Sequence, residues 1–90
     1  MFHTRTHDDI EKELQEARKH IKIGGTYSHY KNPQNLYKVI FLATQEETDK
    51  ICVIYQSEYG KKLLFVRDLD SWLDNPEVNG EKVERFKLVE

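Results

Sequence analysis

The stretch Gly24-Gly25-Thr26-Tyr27-Ser28-His29-Tyr30-Lys31 divides the sequence into two parts that differ in the spacing of their apolar residues. Before it, apolar residues recur at every third or fourth position, which is typical of an amphipathic helix. After it, they alternate with polar residues or form short runs, which indicates strands. The stretch is also the densest cluster of polar aromatic residues in the chain. We therefore predict that a helix ends here and that the first strand of a small sheet begins.

The segment before the double glycine predicts one helix over residues 8–23. Four apolar residues share one face at helical spacing: Ile10, Leu14, Ala17 and Ile21. Asp8 suits the N-cap, and Glu11 follows three residues later, as in a capping box. Gly24 or Gly25 provides the left-handed residue at which the helix stops.

The segment after the double glycine predicts five short strands in close succession. They are expected over residues 26–30, 36–43, 51–57, 62–67 and 83–88. The second strand is apolar on both sides, so we expect it to be central or covered twice. One side of it is predicted to carry Tyr37, Val39, Phe41 and Ala43. The turns between strands are predicted at 31–35, 58–61 and 79–80.

A single helical turn is expected between the fourth and fifth strands, with Leu69, Trp72 and Leu73 on one side. These side chains would plug one end of the sheet. Short, closely connected strands can remove exposed sheet edges by closing into a barrel. We predict a mostly β (α+β) fold, a small SH3-like antiparallel β-barrel of about five strands with one N-terminal helix.

Length and composition limit the class of protein. Ninety residues with 38% apolar residues predict one domain over 1–90, with the helix at 8–23 and the barrel at 24–90. A net charge of −2 gives no basic excess for duplex nucleic acid. The single cysteine, Cys52, lies in an apolar run and is expected to be buried. Since no signal peptide or membrane-spanning segment is found, we expect a cytoplasmic protein without a membrane partner.

No cofactor or metal is predicted. His3 and His7 lack a third ligand, so they are interpreted as surface histidines in a frayed segment, residues 1–7. The acidic loop Glu46–Asp49 lacks the alternating oxygen ligands of a calcium site. Glycine-rich phosphate loops, paired-cysteine zinc motifs and nucleophile elbows are also missing from the sequence.

Several motifs, taken in order, resemble the bacterial family known as domain of unknown function 1653. They are Gly25-Thr26-Tyr27-Ser28-His29-Tyr30-Lys31, Leu36-Tyr37-Lys38-Val39, Val53-Ile54-Tyr55, Glu58-Tyr59-Gly60, Val66-Arg67 and Val78-Asn79-Gly80 with Arg85-Phe86. The resemblance covers about Gly24 to Leu88 and leaves the N-terminal helix outside. It implies a compact, mostly β, cytoplasmic bacterial protein, and it assigns no activity.

Polar aromatic residues and arginines in these motifs form the candidate binding surface. The candidates are Tyr27, His29, Tyr59, Arg67 and Arg85. Aromatic rings on small β folds stack on bases, and a guanidinium binds a carboxylate or phosphate with two hydrogen bonds. The alternative is structural: the rings are buried with their polar tips hydrogen-bonded, and the arginines pair internally with Glu46, Glu47 or Asp68.

Three functions are compatible with these residues. The favoured one is a non-enzymatic binding module for single-stranded nucleic acid, a nucleotide or a peptide. The second is a small enzyme in which His29 acts as acid or base, which requires a carboxylate within hydrogen-bond distance and a pocket. The third is a protein–protein interaction or oligomerisation domain that uses the N-terminal helix.

Overall fold

Residues 6–90 are described by the computed structural model and form two helices and seven strands. In chain order these are α1 (His7–Ala17), β1 (Thr26–His29), β2 (Asn32–Thr44), β3 (Ile51–Ser57), β4 (Leu64–Asp68), α2 (Leu69–Leu73), β5 (Glu77–Val78), β6 (Glu81–Lys82) and β7 (Phe86–Leu88). The mostly β class with an N-terminal helix is confirmed. His3 lies outside the described residues.

Helix α1 begins and ends earlier than predicted. Thr6, not Asp8, is the N-cap: its side chain accepts a hydrogen bond from the Asp9 N–H at 3.1 Å. The Asp9 carboxylate in turn accepts from the Thr6 N–H at 3.4 Å, which completes a capping box. After Ala17 the chain continues in tight turns, and the Ile21 N–H donates to the Ala17 carbonyl at 3.1 Å. Within residues 6–90, neither helix combines the length and the apolarity that crossing a bilayer requires.

The two glycines of the dividing stretch have different roles. Gly24 adopts a φ of +81°, the left-handed conformation that glycine takes without steric cost. Gly25 is buried, and its neighbours lie so close that a side chain at this position would force them to move. A Cβ at Gly25 would lie 3.0 Å from both Leu88 Cδ1 and the Lys22 carbonyl oxygen. The close approach of these three segments fixes where α1 joins the sheet.

The five predicted strands form one antiparallel sheet in the order β4-β3-β2-β1-β7, so β2 is central, as expected. The loop predicted at 31–35 is a tight turn followed by an irregular stretch of β2. His29 pairs with Asn32, but Ser28 pairs with Leu36, which leaves residues 33–35 without partners in β1. The hairpin turn predicted at Asn79-Gly80 is confirmed, but it joins β5 and β6, two short strands that were not predicted and that form a separate hairpin.

A bulge in β2 reverses the predicted assignment of its faces. Val39 pairs with Tyr55, but Phe41 pairs with Ile54, so Ile40 is an extra residue in the ladder. One extra residue exchanges the inner and outer faces of the strand beyond it. Val39 is therefore buried whereas Phe41 is exposed, which makes the prediction of one common face wrong.

The core lies on the inner face of the sheet, under α1 and α2. Its buried side chains are Ala17, Ile21, Tyr27, Val39, Leu42, Ile51, Val53, Tyr55, Trp72 and Phe86. Trp72 of α2 stacks on Phe86 of β7, with ring centroids 3.7 Å apart and planes 4° from parallel. Its ring also meets Tyr27 and Tyr55 edge to face. The helical turn predicted around Trp72 is confirmed, and Trp72 is buried with Leu69 packed beside the core. Leu73, which was predicted to plug the same end, is exposed.

The sheet is curled but open. Within residues 6–90, no pairing joins the outer strands β4 and β7, so the predicted closed SH3-like barrel is not confirmed. Strands about 4.8 Å apart would put the edges of a flat five-stranded sheet roughly 19 Å apart. Yet Arg67 of β4 has its guanidinium carbon 5.3 Å from the ring centroid of Phe86 in β7. Contact across the inner face therefore requires strong curling.

Candidate functional site

Two of the five predicted site residues, Arg67 and His29, contact the ring of Phe86, and a third, Arg85, precedes Phe86 in the chain. The curl brings Arg67 of β4 over this ring at 5.3 Å. His29, paired with Phe86 in the β1–β7 ladder, meets the same ring edge to face at 4.9 Å. Arg85 precedes Phe86, and its guanidinium carbon lies 5.8 Å from the ring centroid of Tyr30. The site thus combines two arginines with the rings of Phe86, Tyr30 and His29.

His29 lies at the end of β1, where the chain turns into β2. Its Nδ1 accepts a hydrogen bond from the Lys31 N–H at 3.2 Å. Burial lowers the pKa of His29, and the positive charges of Arg67, Arg85 and Lys31 lower it further. In the neutral ring, an accepting Nδ1 leaves the proton on Nε2. His29 is therefore a neutral hydrogen-bond donor in a positive environment.

Arg67 is a half-buried cation with one neutral partner. Its Nη1 donates to the Ser71 hydroxyl of α2 at 2.9 Å. No carboxylate of residues 6–90 forms an ion pair with it. Asp68, which was considered as a partner, instead lies 4.0 Å from Lys50 and accepts a bond from the Cys52 thiol. Arg67 keeps unused N–H donors, the groups that bind carboxylate or phosphate.

Arg85 is paired with an acid that the sequence did not suggest. Its Nη2 donates to Asp74 Oδ2 at 3.1 Å, which ties the end of α2 to the segment before β7. Its buried Nε has no hydrogen-bond partner among residues 6–90. Arg85 therefore has a structural role and also contributes positive charge beside Tyr30.

Tyr27 does not belong to an exposed surface. It is buried, and its hydroxyl accepts a hydrogen bond from the Lys22 N–H at 2.9 Å. Its ring meets Trp72 edge to face at 5.3 Å. Tyr27 is therefore a core residue that holds the segment after α1 against the sheet, and the structural interpretation applies to it.

Tyr59 is exposed, and the ring of Tyr37 lies between it and Phe86. It belongs to the β3–β4 turn, and its hydroxyl is 2.8 Å from that of Tyr37. Tyr37 in turn meets Phe86 edge to face at 6.1 Å. Burial, followed by the hydrogen bond shared with Tyr59, raises the pKa of Tyr37 to about 12. Tyr37 is therefore neutral at physiological pH, and the pair extends the aromatic surface towards the β3–β4 turn.

A groove of about 680 Å³ opens beside His29, and the sequence did not predict most of its lining. The β1–β2 turn supplies His29, Tyr30 and Pro33 to one wall. Lys82, at the end of β6, and Lys87, in β7, supply the cations of the other wall. No sequence signal could have joined these walls, because they are about fifty residues apart and meet only through the β1–β7 pairing.

The groove is locally positive although the chain has a net charge of −2. Lys31 lies 5.9 Å from the Tyr30 ring centroid, and Arg85 lies 5.8 Å from it. Lys82 and Lys87 line the groove with a single carboxylate, that of Glu84. A flat ring with cations around it is the arrangement found where proteins stack bases and contact phosphates.

Metal and thiol chemistry find no support in the described part of the chain. Residues 6–90 contain no group of three or more His, Cys, Asp or Glu side chains placed to hold a metal ion. Cys52 is buried, as predicted, and burial raises the pKa of its thiol. A protonated, enclosed thiol is a poor nucleophile.

The fold and site define a class: a small, mostly β protein with an open, curled five-stranded sheet, an N-terminal helix and a basic aromatic groove. The chain belongs to the family described as "Protein of unknown function (DUF1653)", which matches residues 25–88. The resemblance inferred from the motifs is confirmed. Helix α1 precedes the matched region.

A solved structure supports the same assignment. The chain is similar to the crystal structure of a DUF1653 protein from Bordetella bronchiseptica, with 29% sequence identity and a TM-score of 0.64. The similarity covers 73% of this chain and 85% of that chain. No curated protein matches the sequence.

Proposed function

We propose that this protein is a non-enzymatic binding module for an anionic ligand that carries a flat ring, a nucleotide or a segment of single-stranded nucleic acid. The observation that carries the proposal is the arrangement around His29. Arg67, Arg85 and Lys31 all lower its pKa, and no acid of residues 6–90 pairs with Arg67. Positive charge in excess of negative charge beside the half-buried ring of Tyr30 favours such a ligand.

The chemistry of the groove supports specific roles for its residues. The ring of Tyr30 offers a stacking surface for a base, which contributes about 1–3 kcal/mol per base in single-strand complexes. Lys82 and Lys87 line the groove and supply point charges for phosphates. The Nε2–H of His29, which lines the groove, supplies a directional hydrogen bond. The groove volume lies within the range of about 300–1,000 Å³ of small-ligand sites.

We also infer an SH3-like scaffold and a cytoplasmic location. The curled sheet with α2 between its outer strands supports an SH3-like scaffold that presents the groove at one end. The free thiol of Cys52 supports a cytoplasmic location, since reduced cysteines are the rule there.

The test is a fluorescence-anisotropy titration with labelled single-stranded oligonucleotides and with mononucleotides, at several salt concentrations. The groove variant is the double substitution Lys82→Ala and Lys87→Ala. The control, Lys12→Ala and Lys38→Ala, removes the same charge from exposed positions on α1 and on the outer face of β2. Each lost phosphate contact should reduce the slope of log affinity against log salt by about 0.7. We expect a reduction of about 1.4 for the groove variant alone.

Two outcomes would contradict the proposal. Equal losses in the groove and control variants would mean that binding depends on net charge and not on the groove. No binding of any nucleotide or oligonucleotide would remove this ligand class. Tyr30→Ala, with Tyr30→Phe as its control, tests stacking separately, because phenylalanine keeps the ring.

The two alternative functions find less support. An acid–base role for His29 requires a neighbouring carboxylate, and within residues 6–90 none lies within hydrogen-bond distance of it. An oligomerisation role for α1 requires a free apolar face. Ile10 and Ala17 of that face are buried within the chain itself.

A further inference from the structure

Strand β4 is an unprotected edge of the sheet. It pairs with β3 on one side only, because it is the outermost strand. Its side chains Leu64 and Val66 are 63% and 64% exposed, more than any other large apolar residue of 6–90. Proteins normally protect such edges with a charge, a proline or a bulge near the middle of the strand. Residues 64–66 contain none of these.

The exposed apolar surface continues from this edge across the outer face of the sheet. Val66 pairs with Ile54, which pairs with Phe41, so the three side chains form one row. Phe41 lies on this face because of the bulge at Ile40, and it is exposed. The row ends at the free edge of β4. A contiguous apolar surface of this kind on a small protein marks an interaction site.

We propose that β4 pairs antiparallel with β4 of a second copy of this chain, which joins two five-stranded sheets into one. A two-fold axis at Phe65 places Leu64 of each copy opposite Val66 of the other. The four most exposed apolar side chains of the pair then meet on the outer face. The surface is thus complementary to itself, as a two-fold interface requires.

Charge supports this occupant and this direction. Lys61 and Lys62 precede β4, whereas Asp68 ends it and Asp70 follows. In the antiparallel arrangement the basic end of each strand lies beside the acidic end of the other, with Lys62 near Asp68. A parallel arrangement would place like charges together. Asp68 is available for this contact, because its ion pair with Lys50 is long, at 4.0 Å.

The expected dimer is weak. Pairing of one five-residue strand buries less than the roughly 1,200 Å² of standard interfaces, so we expect a dissociation constant on the order of tens of micromolar. Sedimentation velocity over a concentration series measures it directly. Leu64→Lys places a charge at the edge and should weaken the dimer by about tenfold or more. Ile23→Lys, an equal change at an exposed position outside the sheet, should leave it intact.

A charge-reversal mixture tests the direction of pairing. Lys62→Glu alone brings acid to acid, and Asp68→Lys alone brings base to base, so each variant should dimerise less than the parent. A mixture of the two should recover dimers, since both contacts then join opposite charges. A parent that stays monomeric about tenfold above the expected constant overturns the proposal. So does a dimer that Leu64→Lys leaves unchanged, or a mixture that recovers nothing.

Discussion

Phe86 is the residue on which core and candidate site meet. Trp72 stacks on it at 3.7 Å, Arg67 lies 5.3 Å from its ring centroid, and His29, which lines the groove, meets it edge to face. A guanidinium packed against an aromatic ring is partly desolvated, and its attraction to the face of the ring offsets part of that cost. The position of Arg67 is thus fixed by packing and not by an acid. This leaves its charge available to lower the pKa of His29, which lines the groove.

Titration of His29 tests this electrostatic description. Because its pKa is lowered from 6.5 in the folded chain, the unfolded chain binds the His29 proton at a higher pH. Between the two pKa values the unfolded state holds more protons, so the free energy of unfolding decreases as pH falls through this window. Above 6.5 the contribution is fully retained. We expect an NMR titration of the His29 Cε1–H signal to give a pKa below 6.5.

Removal of a positive neighbour and binding of an anion should both raise the pKa of His29. Arg67→Gln removes one positive neighbour and should raise the pKa of His29, although burial, the largest cause, remains. A bound phosphate should also raise it, because negative charge favours imidazolium. A His29 pKa at or above 6.5 would contradict the positive environment.

At the scale of elements, α1 shows how a local signal sets a boundary. The sequence offered Asp8 as cap, but Thr6 with Asp9 makes both hydrogen bonds of the capping box. Thr6→Ala removes the acceptor for the Asp9 N–H and should lower the free energy of unfolding by about 0.5–2 kcal/mol. Thr6→Ser keeps the hydroxyl and should remain close to the parent. Urea unfolding followed by circular dichroism measures both, and equal losses would argue against the cap.

The β2 bulge is the element-scale feature with the widest consequence. The alternation of Tyr37, Val39 and Phe41 predicts one common face, and each residue fits that pattern. The bulge at Ile40 interrupts it, because the core is filled by Val39 and Leu42. Phe41 is then left on the outer face, where it forms part of the apolar row that ends at β4. A single unpaired residue thus creates the surface proposed for dimerisation.

At the scale of the whole molecule, residues outside the family match complete the core. The match begins at residue 25, yet Ala17 and Ile21 pack in the same cluster as the sheet residues. Ile21 is 2% exposed and Ile23, two residues later, is 42% exposed. The segment before the double glycine therefore contributes side chains to the same core as the sheet.

Substitution of these two isoleucines tests that conclusion. Ile21→Ala leaves a cavity and should cost about 2–5 kcal/mol, a large part of the stability of a domain this size. Ile23→Ala removes the same atoms from the surface and should change stability by less than about 0.5 kcal/mol. Chemical denaturation at fixed pH compares them. Similar small effects would mean that the sheet is stable without this segment.

The sequence by itself determined the features that depend on neighbouring residues. The change of period at Gly24, the central strand β2, the Asn79-Gly80 turn and the helical turn around Trp72 all follow from local spacing, because side-chain direction repeats with the backbone period. The family resemblance also came from short motifs in order. These features needed no knowledge of what lies across the sheet.

Which residues meet depends on the folded arrangement of the whole chain. Tyr27 is buried while Tyr30, its near neighbour, lines the groove, and Lys82 and Lys87 reach that groove from the other end of the chain. The curl, the open edge at β4 and the bulge depend on how the core is filled. Close packing couples residues that are far apart in sequence, and no local period records that coupling.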